Sequence, residues 1–269
     1  MIADPSSPIG IFDSGVGGLT VANRVMQEMP QERIVYFGDT ARAPYGIHTK
    51  ERITAQTMQI MRFLWEKRPK IVIIACNTIC VSSYYELVEE FNVPILEIVS
   101  PAAADCVTGG STKVGVIATN ATCKSEGYRI EIHKRNHRVA VFHKPCPDLV
   151  TLAERGLSGS AAGALQCELY LRSLKAEGID SLILGCTHFP LFREHIAAYL
   201  GEKVRLVDPA VAATDVAKTG LIESGLINSS TEPPKHEFYV SGDPAAFEAI
   251  GKTLLGISVK AEQVDIEKY

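Results

Sequence analysis

Eight short apolar runs, rich in β-branched residues and separated by stretches of helical pattern, limit this chain of 269 residues to one fold class. They fall at 9–12, 34–37, 71–75, 93–98, 114–118, 139–142, 181–185 and 204–207. Runs this short, spaced widely enough for a crossover helix between neighbours, are the pattern of βαβ units around parallel sheets. Segments such as 50–68 and 160–177 are long enough to be those helices, covering both sheet faces. The class is α/β. After about residue 225 comes a loop containing Pro233-Pro234, then an added strand at 236–240 and a helix at 244–255 that could pack on either half.

The second half also repeats the first. Ile9-Gly10-Ile11-Phe12-Asp13-Ser14 aligns with Val114-Gly115-Val116-Ile117-Ala118-Thr119 at an offset of 105, and 34–37 aligns with 139–142 at the same offset. Ile73-Ile74-Ala75-Cys76-Asn77-Thr78 then aligns with Ile183-Leu184-Gly185-Cys186-Thr187-His188 at an offset of 110. Each half ends in a proline-led segment, at Pro101 and Pro209, where proline suits a first helical turn. Two similar α/β domains are expected.

Composition removes several classes of function. With 27 basic and 31 acidic residues the net charge is −4 and no cationic block is present, which gives no support to nucleic-acid or membrane-surface binding. The apolar runs are too short to span a bilayer. The leader at 1–8 carries an acid and two prolines and no basic residue, unlike a secretory signal, so a cytosolic location is expected. Seven cysteines without a Cys-x-x-Cys pair do not describe a disulfide scaffold.

Ligands of parallel α/β sheets bind beyond the carboxyl ends of the strands. Polar residues collect there: Asp13-Ser14-Gly15-Val16-Gly17-Gly18, Asp39 to Gly46, Cys76-Asn77-Thr78, Thr119-Asn120-Ala121-Thr122 and Cys186-Thr187-His188. The glycine-rich turn imitates a dinucleotide fingerprint, but Thr20 stands at the third glycine and Asp13 would oppose a pyrophosphate. Cys76, Cys80, Cys186 and His188 could form a zinc set, and Cys186 with His188 a hydrolase pair. Neither uses the matched placement of Cys76 and Cys186. If the two halves face one another, each supplies one thiol to a shared cleft, and acid-base groups on opposite sides of a carbon can invert it. A free thiol is mostly protonated near neutrality, so each needs a helper: Asp13 for Cys76, and His188 for Cys186 if the strand continues extended that far.

These motifs resemble the glutamate racemases of the two-cysteine aspartate/glutamate racemase superfamily. The similarity runs through Gly-Ile-Phe-Asp-Ser-Gly-Val-Gly-Gly-Leu-Thr-Val at 10–21, Tyr-Phe-Gly-Asp-Thr-Ala-Arg-Ala-Pro-Tyr-Gly at 36–46, Ala-Cys-Asn-Thr at 75–78, Leu-Gly-Cys-Thr-His-Phe-Pro at 184–190 and Ser-Gly-Asp at 241–243. The resemblance implies interconversion of L- and D-glutamate with no cofactor and no metal, supplying peptidoglycan synthesis, by a cytoplasmic homodimer with no nucleic-acid or membrane partner. It implies Cys76 as the base toward D-glutamate and Cys186 toward L-glutamate, with Asp13 beside Cys76 and with His188 and Glu154 beside Cys186. Its substrate contacts fall on Ser14, Asn77, Thr78, Thr119, Thr122 and Thr187, and on the Pro44-Tyr45-Gly46 loop, where Tyr45 and Gly46 offer backbone donors and Pro44 only shapes the chain. It implies two three-layer α/β domains with mainly parallel sheets facing each other across a cleft: 1–98 with 209–269, and 99–208.

The chain departs from the family pattern in two places. The segment from Cys146 to Glu154 lacks the usual second proline and aromatic residue. Glu97 replaces a common glycine, so its charge must find a partner or lie at an edge. Cys80, Cys106, Cys123, Cys146 and Cys167 read as filler. Asp39 and Arg42 could pair within their loop or meet substrate.

Overall fold

In a computed structural model that describes residues 4–255 and 258–269, the chain folds as two compact units, one of residues 1–98 with 213–269 and one of residues 99–212. Residues 1–3 of the leader lie outside the described residues.

The first unit opens with β1 (Ile9–Asp13), α1 (Leu19–Glu28), β2 (Ile34–Gly38), α2 (Lys50–Glu66), β3 (Ile71–Ile74), α3 (Asn77–Glu90) and β4 (Ile95–Glu97). The second unit runs through α4 (Val99–Thr108), β5 (Lys113–Ala118), α5 (Asn120–Ser125), α6 (Gly127–Arg135), β6 (Ala140–Pro145), α7 (Pro147–Glu154), α8 (Ala161–Ala176), β7 (Ser181–Gly185), α9 (Arg193–Leu200) and β8 (Arg205–Val207). The chain returns to the first unit within α10 (Pro209–Glu223) and finishes with β9 (Glu237–Val240), α11 (Pro244–Leu255) and β10 (Ala261–Gln263).

The first sheet has the order β10-β9-β2-β1-β3-β4 and the second β6-β5-β7-β8, with every pairing parallel. Each unit thus shares a core in which the second, first, third and fourth strands lie side by side, and the first unit adds two strands outside β2. The tail joins the first unit because β9 pairs with β2, Tyr36 opposite Phe238. β1, β2 and β7 are buried along their whole length, as strands covered on both faces must be, which is why they read as unbroken apolar runs.

Register supports the repeat and corrects it at one strand. Ile9 pairs with Ile71 and Val114 with Ser181, which preserves the offsets of 105 and 110. Ile9 pairs with Ile34 but Val114 with Val141, so the partner of Ile34 in the repeat is Val141, not Val139. The slip of two residues keeps every side chain on its own face, which is why the apolar pattern could not reveal it.

Side-chain caps fix several helix starts. The Thr49, Thr119 and Ser160 hydroxyls accept from the Arg52, Thr122 and Gly163 amides, and Pro147 opens α7. Beneath the first sheet lies a fully buried ion pair between Lys70 and Glu32; the Lys70 ammonium also donates to the Pro5 and Leu226 carbonyls at 2.8 Å each. Among the described residues no helix is long and apolar enough to cross a membrane.

Candidate active site

In a strand order of second-first-third-fourth the chain changes direction between the first and third strands, and the crevice beyond their carboxyl ends is where such sheets take ligands. In the first unit those ends belong to β1 and β3, and the residues there are Asp13, Ser14 and Cys76.

Asp13 closes β1 and is almost fully buried; its Oδ2 accepts from the Gly15 amide at 2.9 Å. That bond takes up the first amide of the glycine-rich turn, a donor that a phosphate would require, and the dinucleotide reading falls with it. The Ala75 amide donates to the Phe12 carbonyl at 2.9 Å, tying the end of β3 to β1. Cys76 follows as the N-cap of α3, at the positive end of the helix dipole, where a thiolate is favoured. Its sulfur lies 3.4 Å from the Ser14 hydroxyl. Tyr36, unassigned by sequence, donates to the Gly15 carbonyl at 2.8 Å, and burial together with the charges of Asp13 and Cys76 pushes its phenol well above the usual tyrosine range. Gly18 is required by contact: a Cβ there would lie 2.5 Å from the Asp13 Cβ and 2.8 Å from the Tyr36 hydroxyl. Asn77 and Thr78 are buried in the first turn of α3.

The loop after β2 is built around Asp39. Its Oδ2 accepts from Arg42 Nε at 2.7 Å and from the Tyr45 hydroxyl, while Oδ1 accepts from the Ser241 hydroxyl at 2.6 Å. Asp39 and Arg42 therefore pair within the loop. Burial and the Asp39 carboxylate push the Tyr45 phenol up, and with that side chain turned inward only the backbone of Tyr45-Gly46 remains for a ligand. This 3-10 turn, Tyr45–Ile47, packs on α3, and Pro44 precedes it on the exposed side. Ser241, whose hydroxyl also accepts from the Ala41 amide at 2.9 Å, was legible only as part of a motif without a role.

In the second unit the equivalent ends belong to β5 and β7. β7 stops at Gly185, and a Cβ on Gly185 would lie 2.8 Å from the Ile117 carbonyl oxygen of β5. The expectation that His188 shares the side of Cys186 through extended geometry is corrected: His188 is helical, at φ −81° and ψ −22°, and the Phe189 amide bonds back to the Cys186 carbonyl. The turn, not the pleat, brings the Cys186 sulfur 3.7 Å from His188 Nδ1. On the other side of the ring, Nε2 lies 3.5 Å from Glu154 Oε1. Glu154 is the last residue of α7, which forms without the second proline because Pro147 already occupies its first turn. Thr119 caps α5 and its hydroxyl lies 3.1 Å from that of Thr122, which is fully buried; Thr187 is buried between Cys186 and His188.

The remaining cysteines are buried thiols. Burial pushes Cys106, Cys123 and Cys167 up to about 12, and Cys80 and Cys146 up as well. At neutral pH they stay protonated and hydrophobic. The Cys80 sulfur is turned to the Ile74 carbonyl at 3.4 Å, and among the described residues no group of three or more His, Cys, Asp or Glu side chains is disposed to hold a metal. Glu97 lies both on the edge strand β4 and inward, where its charge helps raise Cys80.

Each unit therefore carries a thiol just past the end of its third strand, Cys76 beside the Ser14 hydroxyl and Cys186 beside the His188 imidazole. Residues 19–217 match the model of the Asp/Glu/Hydantoin racemase family. The chain is 42% identical over 262 residues to a glutamate racemase of Neisseria meningitidis, covering 96% of each. Among solved structures it resembles glutamate racemase from Francisella tularensis in complex with D-glutamate, at 35% identity and a TM-score of 0.92, covering 98% of this chain and 100% of that one. It also resembles a glutamate racemase isoform from Bacillus anthracis, at 34% identity and a TM-score of 0.93, covering 96% and 97%. With this family signature across nearly three quarters of its length and relatives matched almost end to end, the chain belongs to the Asp/Glu/Hydantoin racemase family.

Proposed function

We propose that the protein interconverts L- and D-glutamate by a two-base mechanism in which Cys76 and Cys186 act on opposite faces of the α-carbon. The observation that carries this reading is the equivalence of the two thiols: each follows the third strand of a repeated fold, beside the switch point, with Cys76 3.4 Å from the Ser14 hydroxyl and Cys186 3.7 Å from His188 Nδ1. The relatives' shared name, and the bound D-glutamate in one of them, support glutamate as the substrate.

From L-glutamate, the Cys186 thiolate takes the α-proton and the Cys76 thiol delivers its own proton to the opposite face; from D-glutamate the roles exchange. One turnover leaves the two sulfurs with interchanged protonation, so a proton must return through the helpers or solvent before the same enantiomer reacts again. Asp13 serves Cys76, while His188, oriented by Glu154, serves Cys186. Hydroxyls and amides at Ser14, Asn77, Thr78, Thr119, Thr122 and Thr187, with the Tyr45-Gly46 backbone, hold the carboxylates and offset the charge developing beside the α-carbon. The enzyme is proposed to act as a cytoplasmic homodimer supplying D-glutamate for peptidoglycan.

Incubating the purified protein with L-glutamate in heavy water without added pyridoxal phosphate tests the reaction. Loss of optical rotation with deuterium entering the α-position is expected; retained rotation refutes the reading. Aspartate turned over in preference to glutamate would refute the substrate while leaving the two-thiol chemistry standing.

A further inference from the structure

The chain that leads to Tyr45-Gly46 has no regular structure between β2 and the 3-10 turn Tyr45–Ile47, so its backbone must be held by other means. Asp39 is the centre of that hold. Its side chain is fully buried, and its two carboxylate oxygens face different segments. Oδ2 accepts from the loop itself, from the Arg42 guanidinium at 2.7 Å and from the Tyr45 hydroxyl; Oδ1 accepts from the hydroxyl of Ser241, which follows β9. Arg42 supplies the positive charge without which a buried carboxylate is costly.

The tail grips the loop at further points. The Ser241 amide donates to the Gly38 carbonyl at 3.2 Å, its hydroxyl accepts from the Ala41 amide, and the Gly242 amide donates to the Thr40 hydroxyl at 3.1 Å. The approach is close enough to require glycine, since a Cβ on Gly242 would lie 2.6 Å from the Thr40 hydroxyl. Glu267, in the 3-10 turn Ile266–Lys268, accepts from Arg42 Nη1 at 3.0 Å. The Asp39 amide donates to the Asp13 carbonyl at 3.1 Å. One residue thus joins the end of β1, the tail, and the phenol that turns Tyr45 inward.

We propose that Asp39 and Ser241 are positioning residues, which together fix the Tyr45-Gly46 backbone for a substrate carboxylate and so let the tail set substrate affinity. This rests on the racemisation proposed above, in which that backbone holds a carboxylate. A loop released from Asp39 presents its amides only part of the time, and apparent affinity falls by that fraction. The same contact is made before and during proton transfer, so weakening it raises KM and leaves kcat near parental.

Steady-state rates from both enantiomers, with hydrogen exchange read at single amides, test it. Ser241→Ala and Tyr45→Phe, which each remove one hydrogen bond to the same charged group, should each raise KM for L- and D-glutamate by about threefold to tenfold with kcat within about twofold of the parent. The double variant should raise KM by less than the product of the two, because both bonds end on one carboxylate; a full product overturns the shared anchor. The Arg42 and His48 amides bond to the Asp39 and Tyr45 carbonyls and not to Ser241, and they should exchange about tenfold faster in Ser241→Ala. Thr108→Ala, which removes an exposed hydroxyl of the second unit, should change neither reading. A melting temperature that falls while KM and exchange stay parental shows a structural hydroxyl only and overturns the proposal, as does a fall in kcat at parental KM. A parent protein that leaves glutamate unchanged refutes the racemisation reading instead, and the exchange rates then decide alone whether Ser241 fixes the loop.

Discussion

Replacing Gly18 by alanine separates the position of Asp13 from its chemistry. Gly18 has φ −61°, a conformation alanine adopts freely, so the backbone carries no penalty and the unfolded chain even loses some entropy. The cost lies in contact. The new methyl would sit 2.5 Å from the Asp13 Cβ, 2.8 Å from the Tyr36 hydroxyl and 3.1 Å from the Ala75 Cβ, where ordinary contact begins at 3.4 Å. About 0.9 Å must therefore be found between Asp13 and the glycine turn, in a place closed on three sides by β1, β2 and the end of β3. Either the carboxylate turns away or the turn lifts, and both strain the 2.9 Å bond between Asp13 Oδ2 and the Gly15 amide. Overpacking of this kind costs about 1–3 kcal/mol of stability, whereas a misplacement near 1 Å at a reacting group costs about 10²-fold in rate. Polarimetric rates from each enantiomer, with the melting temperature measured beside them, read both effects. Gly220→Ala in α10, where nothing lies within 4 Å, is the control and should keep full activity with a gain of up to about 1 kcal/mol. A folded Gly18→Ala enzyme with parental kcat in both directions would refute a role for Asp13 that depends on its placement.

Cys76→Ser and Cys186→Ser should each remove at least about 10²-fold of kcat in both directions, the usual worth of one general acid or base, with little change in stability; a variant retaining parental rate from either enantiomer refutes the pairing. Lys70→Met should destabilise the first unit by about 3–5 kcal/mol in urea, because it strands the buried Glu32 carboxylate, and adding Glu32→Leu should recover part of that loss. Burial opposes ionisation of Asp180, but hydrogen bonds from the Thr112 hydroxyl and amide and the Lys113 amide outweigh it and hold its carboxyl below the usual range. A carboxyl lowered in the folded state stabilises fully above its unfolded pKa of about 3.9 and loses that contribution as pH falls through the folded value, so Asp180→Ala should flatten the acid limb of a stability–pH curve below about pH 4.

How far the sequence speaks for the site depends on what kind of signal each residue carries. β1, β2, β3, β5 and β7 were visible because burial on both faces leaves nearly uninterrupted apolar runs, while β4, β6, β8 and β9, only partly buried, showed as short apolar stretches between helical segments; Cys76 and Cys186 stood out because each follows an apolar run and opens a polar stretch. β10 was invisible: Ala261–Gln263 is three residues with two exposed, held only by pairing to β9. The register of β6 was misread because a slip of two residues preserves the pattern. Ser241 and Glu267 act on the loop around Asp39 from more than 200 and 220 residues away, and nothing local in their surroundings announces it. Tyr36 was hidden in plain view, since a phenol in a fully buried strand reads as core until its hydroxyl is seen on the Gly15 carbonyl.

The two thiols have chemically unlike surroundings, and the proposed reaction limits what that difference can do. Cys76 sits at a helix N-terminus 3.4 Å from the Ser14 hydroxyl and is proposed to be served by the buried Asp13; Cys186 sits in a turn with an imidazole whose outer partner, Glu154, is 43% exposed. The two enantiomers of glutamate are mirror images with equal free energies in water, so kcat/KM must be the same in both directions for the parent and for every variant. Damage to one half-site can therefore never favour one enantiomer at equilibrium. It can only redistribute the loss between kcat and KM, because each direction begins from the opposite protonation state of the two sulfurs. Gly18→Ala and a His188→Asn variant should thus each lower kcat/KM equally from L- and D-glutamate while splitting kcat and KM in opposite senses. A variant whose two kcat/KM values differ would mean that the assay is following a reaction other than racemisation, and two variants with the same split would mean that Asp13 and His188 do not serve different thiols.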